Sequence, residues 1–277
     1  MDLEEQYLRA AEAIASADAL LIGAGAGMGV DSGLPDFRGP EGFWKAYPPF
    51  RGRHFSEMST PHWFRSDPQL AWGFFGHRLN LYRSAIPHPG FQILQKWAKK
   101  CPDGCFVFTS NVDGQFQKSG FSTEDVVECH GSIHHLQCSS PCHKGIWEAG
   151  DQVFEINLET IRTTSPLPKC PQCGTVARPN ILMFGDPHWI ATRSDRQDKR
   201  YLDWLKRTSS RRLVIVELGA GLAIPTVRYE CQTQPGTLIR INPREAEVGR
   251  NGISLPVGAL EALRAIDTLL EARRAEA

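Results

Sequence analysis

The sequence predicts an α/β fold, a Rossmann-like doubly wound parallel sheet with a smaller domain inserted into it. Three observations lead there. An amphipathic helical segment at the N-terminus runs directly into a short apolar strand and a glycine loop. Further apolar runs, each closed by a short polar or glycine-rich turn, recur at 105–109, 213–218 and 237–241, as expected of parallel strands covered on both faces. Two stretches of different character, one rich in aromatic residues and one in cysteine, interrupt the alternation. A length of 277 residues suits one domain with sizeable insertions, and a chain of this size buries roughly 75% of its unfolded surface, so its core does not depend on disulfides.

Taken in order, Leu3, Tyr7, Leu8, Ala11, Ile14 and Ala15 share one face at helical spacing, and Ala19-Leu20-Leu21-Ile22 reads as the strand that follows. Residues 39–90 carry Trp44, Trp63, Trp72 and many phenylalanines, with turn signals at Tyr47-Pro48-Pro49 and Ser59-Thr60-Pro61. That pattern predicts helices and loops lining a cleft. The strand at 105–109 comes next, and after the cysteine-rich stretch at 136–178 the strands at 213–218 and 237–241 resume the sheet. A last helix is expected at about 257–271, with Leu260, Leu263, Ile266 and Leu270 facing inward. The large part is therefore expected at about 1–38, 91–135 and 179–277, and the small part at about 39–90 and 136–178. Ligands of such a sheet bind at the carboxyl ends of its strands.

Charge narrows the function. Lys and Arg number 31 against 31 Asp and Glu, and zero net charge argues against a nucleic-acid binder, which needs a concentrated cationic excess. The basic stretch from Arg193 to Arg212 is interleaved with Asp195, Asp198 and Asp203 and reads as a solvated helix face. The N-terminus is acidic and then helical, unlike a signal peptide. The uncharged run 19–30 is glycine-rich and short of the roughly 20 residues a spanning helix needs. A cytoplasmic protein without membrane partners is expected; the sequence does not fix an oligomeric state.

In a reducing compartment, eight cysteines point to metal or buried thiols. Cys138 and Cys142 are separated by three residues and Cys170 and Cys173 by two. Two such knuckles present four thiolates to one tetrahedral zinc, and because four thiolates close the coordination sphere, the ion is structural and the segment a zinc ribbon. His134, His135 and His143 stand nearby as alternative donors. Cys101, Cys105, Cys129 and Cys231 read as unpaired, mostly buried thiols.

The loop Gly23-Ala24-Gly25-Ala26-Gly27-Met28-Gly29 lets backbone N–H groups approach a diphosphate, although it matches G-x-G-x-x-G in no register. Its continuation, Gly25-Ala26-Gly27-Met28-Gly29-Val30-Asp31-Ser32-Gly33-Leu34-Pro35-Asp36-Phe37-Arg38, resembles the first signature of the sirtuin family, the NAD-consuming protein deacylases. Thr109-Ser110-Asn111-Val112-Asp113-Gly114 resembles the second, Glu128-Cys129-His130-Gly131-Ser132 the catalytic-histidine segment, and 178–186 the substrate-side strand. Gly219-Ala220-Gly221-Leu222 and Ile241-Asn242-Pro243 fall where that family keeps its late nucleotide loops. The similarity spans about 19–259 in one unbroken order of motifs.

The resemblance implies a reaction in which the carbonyl oxygen of an acylated lysine in a protein displaces nicotinamide from NAD, giving free lysine and O-acyl-ADP-ribose. It assigns His130 as general base, a role a near-neutral pKa suits. Asn111 and Asp113 would hold the carboxamide and ribose, and Phe37 would shield the reacting carbon, with Asp36 and Arg38 fixing its loop. Gly25, Ala26, Gly27, Ser110, Gly219, Ala220, Gly221, Asn242, Pro243 and Ala259 complete the expected NAD contacts. The substrate peptide would add a strand between edges near Phe184-Gly185-Asp186 and 221–224, with Leu222 in contact.

Departures from the family pattern bear on substrate choice. Ser110 replaces a usual glutamine, Gly29 a usual serine, and Gly219-Ala220-Gly221 a Gly-Thr-Ser, so several hydroxyl or amide contacts are missing. Pro225 arrives about one residue early. Sirtuins that prefer acidic acyl groups share a Tyr-x-x-Arg pair; here the segment is Phe75-Gly76-His77-Arg78, so Arg78 offers the charge without that tyrosine, while Phe43, Trp44, Phe74 and Phe75 suit a larger apolar acyl group. The alternative enzyme readings are protein ADP-ribosyl transfer and NAD hydrolysis in the same pocket, and a third reading is a non-catalytic NAD sensor.

Overall fold

A computed structural model of the protein describes residues 2–36 and 39–275. The main sheet begins with β1 (Ala19–Ala24), β2 (Cys105–Thr109) and β3 (Val126–Glu128). The chain then leaves it for β4 (Gly131–Cys138), β5 (Trp147–Glu148), a small hairpin of β6 (Ile156–Asn157) and β7 (Arg162–Thr163), and β8 (Ala177–Ile181). It returns through β9 (Leu213–Leu218), β10 (Thr237–Ile241) and β11 (Ile253–Leu255). The order β3-β2-β1-β9-β10-β11 is parallel throughout. It reverses between β1 and β9, where such sheets open a crevice at their carboxyl ends.

Both strands flanking that crevice are buried along their whole length, which explains their apolar sequences, interrupted only by the paired Glu217. The register pairs Ala24 with Thr109 on one side and with Leu218 on the other. Gly25, Ser110 and Gly219, the next residue of each strand, therefore emerge side by side. A second core joins the helix Pro68–Ser84, with Trp72, Phe74 and Phe75, to Ile133 of β4 and Ala177 of β8.

Several elements differ from the sequence expectation. The first helix, Leu3–Ala15, buries Gln6, Ala10, Ala11 and Ile14, whereas Leu8 is 45% exposed and Ala15 is exposed. Packing against the C-terminal helix selects the line through Leu3, Tyr7, Ala10 and Ile14, and Leu8 lies beside it. The last helix runs Ala259–Ala275, starting where Asp31 accepts from the Leu260 N–H at 3.0 Å; Ala262 joins Leu263, Ile266 and Leu270 inside, while Leu260 is half-buried. β3 and β11 are three residues each, too short to leave a periodic signature. The second sheet takes in all of β4 and β8, in the order β5-β4-β8. Arg193 of the basic stretch turns inward to the buried Glu128, while Arg200 pairs with the exposed Glu124 at the surface. Among the described residues, no helix is long and apolar enough to cross a membrane.

Candidate active site

A cavity of about 470 Å³ lies at the reversal of strand order, walled by the sheet on one side and the smaller part on the other. Gly25, Ala26, Asp36, Ser110, Asn111, Asp113, His130, Gly219, Ala220, Gly221, Leu222, Phe184 and Arg78 all line it. A second cavity of about 100 Å³ adjoins it beyond Gly219 and is lined by Gly27, Asp36, Pro243 and Ala259. Phe37 and Arg38 lie outside the described residues.

The glycine loops after β1 and β9 meet backbone to backbone. The Gly27 N–H donates to the Gly219 carbonyl at 3.1 Å, and a Cβ on Gly219, which has φ +58°, would stand 2.4 Å from the Gly27 Cα. No L-residue side chain fits that approach. Gly29 has a different reason: a Cβ there would press on Leu34 at 3.2 Å.

At the end of β2, the Asn111 amide donates to the Gly25 carbonyl at 2.9 Å, so this side chain holds the first glycine loop. Asp113 is buried, and its Oδ1 accepts from the Gln115 N–H at 2.9 Å. Burial pushes its carboxyl up to about 6, and the Gln115 N–H works in the opposite direction. Behind it, the His134 Nε2–H donates to the Asp113 carbonyl at 2.9 Å.

His130 follows β3 at a point clamped by the helix Thr192–Thr208. Arg193 pairs with the Glu128 carboxylate, Ser194 Oγ donates to the Glu128 carbonyl at 2.9 Å, and the Gln197 carbonyl oxygen accepts the Glu128 N–H at 3.1 Å. Burial holds the His130 imidazole below its ordinary value, and a bond to the Ser110 backbone raises it. The ring lies 3.4 Å from the Thr226 hydroxyl through Nε2, and its burial favours the neutral form. Because the Ser110 contact is made by the backbone, the missing glutamine side chain does not remove it.

On the opposite wall, Arg78 is 5% exposed and donates through Nε and Nη2 to the Tyr82 hydroxyl at 3.1 and 3.0 Å. Its guanidinium lies 5.4–5.6 Å from the ring centroids of Phe55, Phe74, Phe75 and Tyr82. Tyr82 was not among the predicted residues; the i, i+4 spacing on a helix was the available signal.

Not every predicted residue faces the cavity. Asp186 is fully buried as a side chain and takes two bonds from Arg178 at 2.7 and 2.9 Å, so it braces the 183–186 turn, whose Phe184 and Gly185 are exposed. Asn242 is also fully buried; its Nδ2 donates to the Ala220 carbonyl and its Oδ1 accepts from the Arg244 and Glu245 N–H groups. Both residues shape the site from behind. Glu245, which lines the main cavity and accepts the Leu222 N–H at 3.1 Å, carried no sequence signal.

The four knuckle cysteines converge, with every sulfur within 4.8 Å of the others and the pairs Cys138–Cys173 and Cys142–Cys170 at 3.6 and 3.7 Å. A tetrahedral zinc with bonds of about 2.3 Å needs sulfurs about 3.8 Å apart, so this donor set fits one structural ion. His143 is outside the set. Its Nδ1 accepts from the Gly145 N–H at 2.8 Å, leaving Nε2–H to donate to Cys170 Sγ at 3.3 Å.

Comparison with known proteins agrees with this geometry. The Sir2 family matches residues 25–204. A Thermococcus kodakarensis protein named NAD-dependent protein deacylase is 31% identical over 250 residues, covering 88% of this chain and 86% of that one. A Pyrococcus abyssi protein of the same name is 29% identical over 260 residues, covering 89% and 94%. A solved Sir2 homologue in complex with NAD superposes with a TM-score of 0.72 at 23% identity, covering 96% of this chain and 94% of that one, which shows a shared fold.

Proposed function

The chain belongs to the Sir2 family, and from that premise we propose that it is an NAD-dependent protein-lysine deacylase whose chemistry runs in the cavity at the β1–β9 reversal. The observation that carries this reading is the convergence of two backbone-to-backbone glycine loops, a buried carboxylate and a half-buried histidine on one cavity of about 470 Å³. Bound NAD supplies an electrophilic ribose carbon with nicotinamide as leaving group. The chain's own residues do the rest. The glycine loops offer N–H groups to the diphosphate with no side chain in the way. Asn111 and Asp113 hold the nicotinamide end, and neutral His130 takes a proton from a ribose hydroxyl. The exposed backbone near Phe184 and Leu222 receives the acyl-peptide as an added strand. Enclosure between the two parts of the molecule keeps water from a weak nucleophile's target.

The acyl end of the substrate points towards Arg78. The tyrosine hydroxyl absent at position 75 is supplied from the other side of Arg78, one helical turn after it, by Tyr82, and a cation flanked by a hydroxyl and aromatic rings suits an acyl group ending in a carboxylate. The test follows nicotinamide release from NAD with acetyl-, long-chain and succinyl-lysine peptides, with mass spectrometry of the peptides. Release that requires an acylated peptide, with loss of the acyl mass, is expected, and fastest for the acidic acyl group. Release without peptide, or ADP-ribose mass gained by protein, would replace this reading with hydrolysis or transfer.

A further inference from the structure

The loop 219–221 has no side-chain hydroxyl with which to shape itself, yet it is tied from beneath. Asn242 Nδ2 donates to the Ala220 carbonyl at 2.9 Å. Arg228 Nη1 donates to the same oxygen at 3.3 Å and to the Glu245 carbonyl at 2.7 Å. Arg228 enters from the helix Thr226–Thr233 and is 6% exposed. Its nearest carboxylate, Glu217, is 3.9 Å away and already takes two bonds from Arg240 at 2.7 and 2.9 Å. Glu217 is thus matched without Arg228, whose own bonds go to two loop carbonyls. A buried guanidinium is costly unless its donors find acceptors, and here Nη1 joins the loop after β9 to the loop after β10.

Direction follows from the peptide unit. The bond between Ala220 and Gly221 is trans, and a trans peptide sets its C=O and N–H antiparallel. With the Ala220 carbonyl drawn down to Arg228 and Asn242, the Gly221 N–H is turned the other way, towards the cavity that Gly221 lines. We propose that Arg228, with Asn242, is a positioning residue for dinucleotide binding: by holding the Ala220 carbonyl it aims the Gly221 N–H at the anionic diphosphate and replaces the hydroxyls this loop lacks. The inference rests on the NAD reading above.

Calorimetric titration with ADP-ribose and steady-state kinetics in NAD, on the zinc-loaded full chain, test it with Arg228→Met and Arg228→Lys. R228M should weaken ADP-ribose at least ten-fold and raise KM for NAD in proportion, with kcat within three-fold at saturating NAD and an unchanged zinc content. R228K, which keeps a donor on a side chain one bond shorter, should recover part of the loss; if R228M does not fold, a three-fold or greater loss of ADP-ribose affinity in R228K carries the test. ADP-ribose affinity equal to wild type in a folded variant overturns the inference, as does a fall in kcat with KM unmoved. Failure of the wild type itself to bind ADP-ribose or NAD would instead sink the functional reading on which it rests.

Discussion

Replacing Asp113 by asparagine should stabilise the protein by an amount that grows with pH, while removing its activity. Burial lifts the Asp113 carboxyl from 3.8 to about 6. A raised folded-state value means that the folded chain keeps the proton longer than the unfolded chain, so the group's contribution is most favourable in acid and is lost as the pH rises through 6. Two units of difference amount to about 3 kcal/mol in total, of which about 1.4 kcal/mol develops between pH 5 and pH 8, nearly all of it below pH 7. Asparagine does not titrate, and its carbonyl oxygen still accepts the Gln115 N–H. The stability gap between Asp113→Asn and wild type should therefore widen by about 1.4 kcal/mol over that interval, equivalent to roughly 2–3 °C in melting temperature for a chain of this size. Urea unfolding of both zinc-loaded proteins at pH 5, 6, 7 and 8 measures it. A gap that is constant or that narrows with pH would refute the argument that the site pays for a buried, ionised carboxylate. Retained NAD turnover in the variant would separately remove Asp113 from the machinery.

Other substitutions probe the remaining parts. His130→Ala should lower acyl removal at least 100-fold while ADP-ribose still binds within a few-fold of wild type by calorimetry; because burial holds the imidazole below 6.5, wild-type activity should fall only as the pH drops below that value. Chelating the zinc, or Cys173→Ser, should raise KM for the peptide several-fold more than KM for NAD, since β8 carries both the ribbon and Arg178, which braces the 183–186 turn; equal effects on the two constants would contradict this route. Gly219→Ala should abolish measurable NAD binding, because both φ +58° and a 2.4 Å clash with backbone stand against any side chain, and binding within ten-fold of wild type would show that the two loops are less tightly apposed than the structure has them.

Much of the fold was legible because its central strands are buried on both faces and leave predominantly apolar runs, as at 19–24 and 213–216. The cysteine knuckles were legible because ligand spacing is local. What stayed hidden was long-range or one-sided. Leu8 sits at helical spacing with its apolar neighbours, yet which line of the helix is covered depends on the C-terminal helix more than 240 residues later. Asp186 and Asn242 occupy motif positions, but their side chains point away from the cavity, and only the placement of Arg178 and Ala220 decides that. Tyr82 is hidden because the family pattern carries its hydroxyl before the arginine, and this helix supplies one after Arg78.

A common device emerges from these hidden contacts. Three segments that build the cavity are each held from behind by an arginine, half-buried in the first case and buried in the other two: Arg193 on Glu128 beside His130, Arg178 on Asp186 beneath the 183–186 turn, and Arg228 on the Ala220 and Glu245 carbonyls. Arginine suits this work because its planar head carries five donors in a fixed fork, so one side chain can fix two or more acceptors at once, and it stays charged where a lysine would lose its proton. The arrangement also explains how a glycine-rich site keeps its shape. Glycine at 25, 27 and 219 is required by backbone approach and leaves those loops with the most conformational freedom to lose. Rigidity has to come from neighbours of the glycine loops, and these arginines supply it, although the sequence assigned only Arg193 to a solvated basic face, placed Arg178 at the start of the substrate-side segment and gave Arg228 no role.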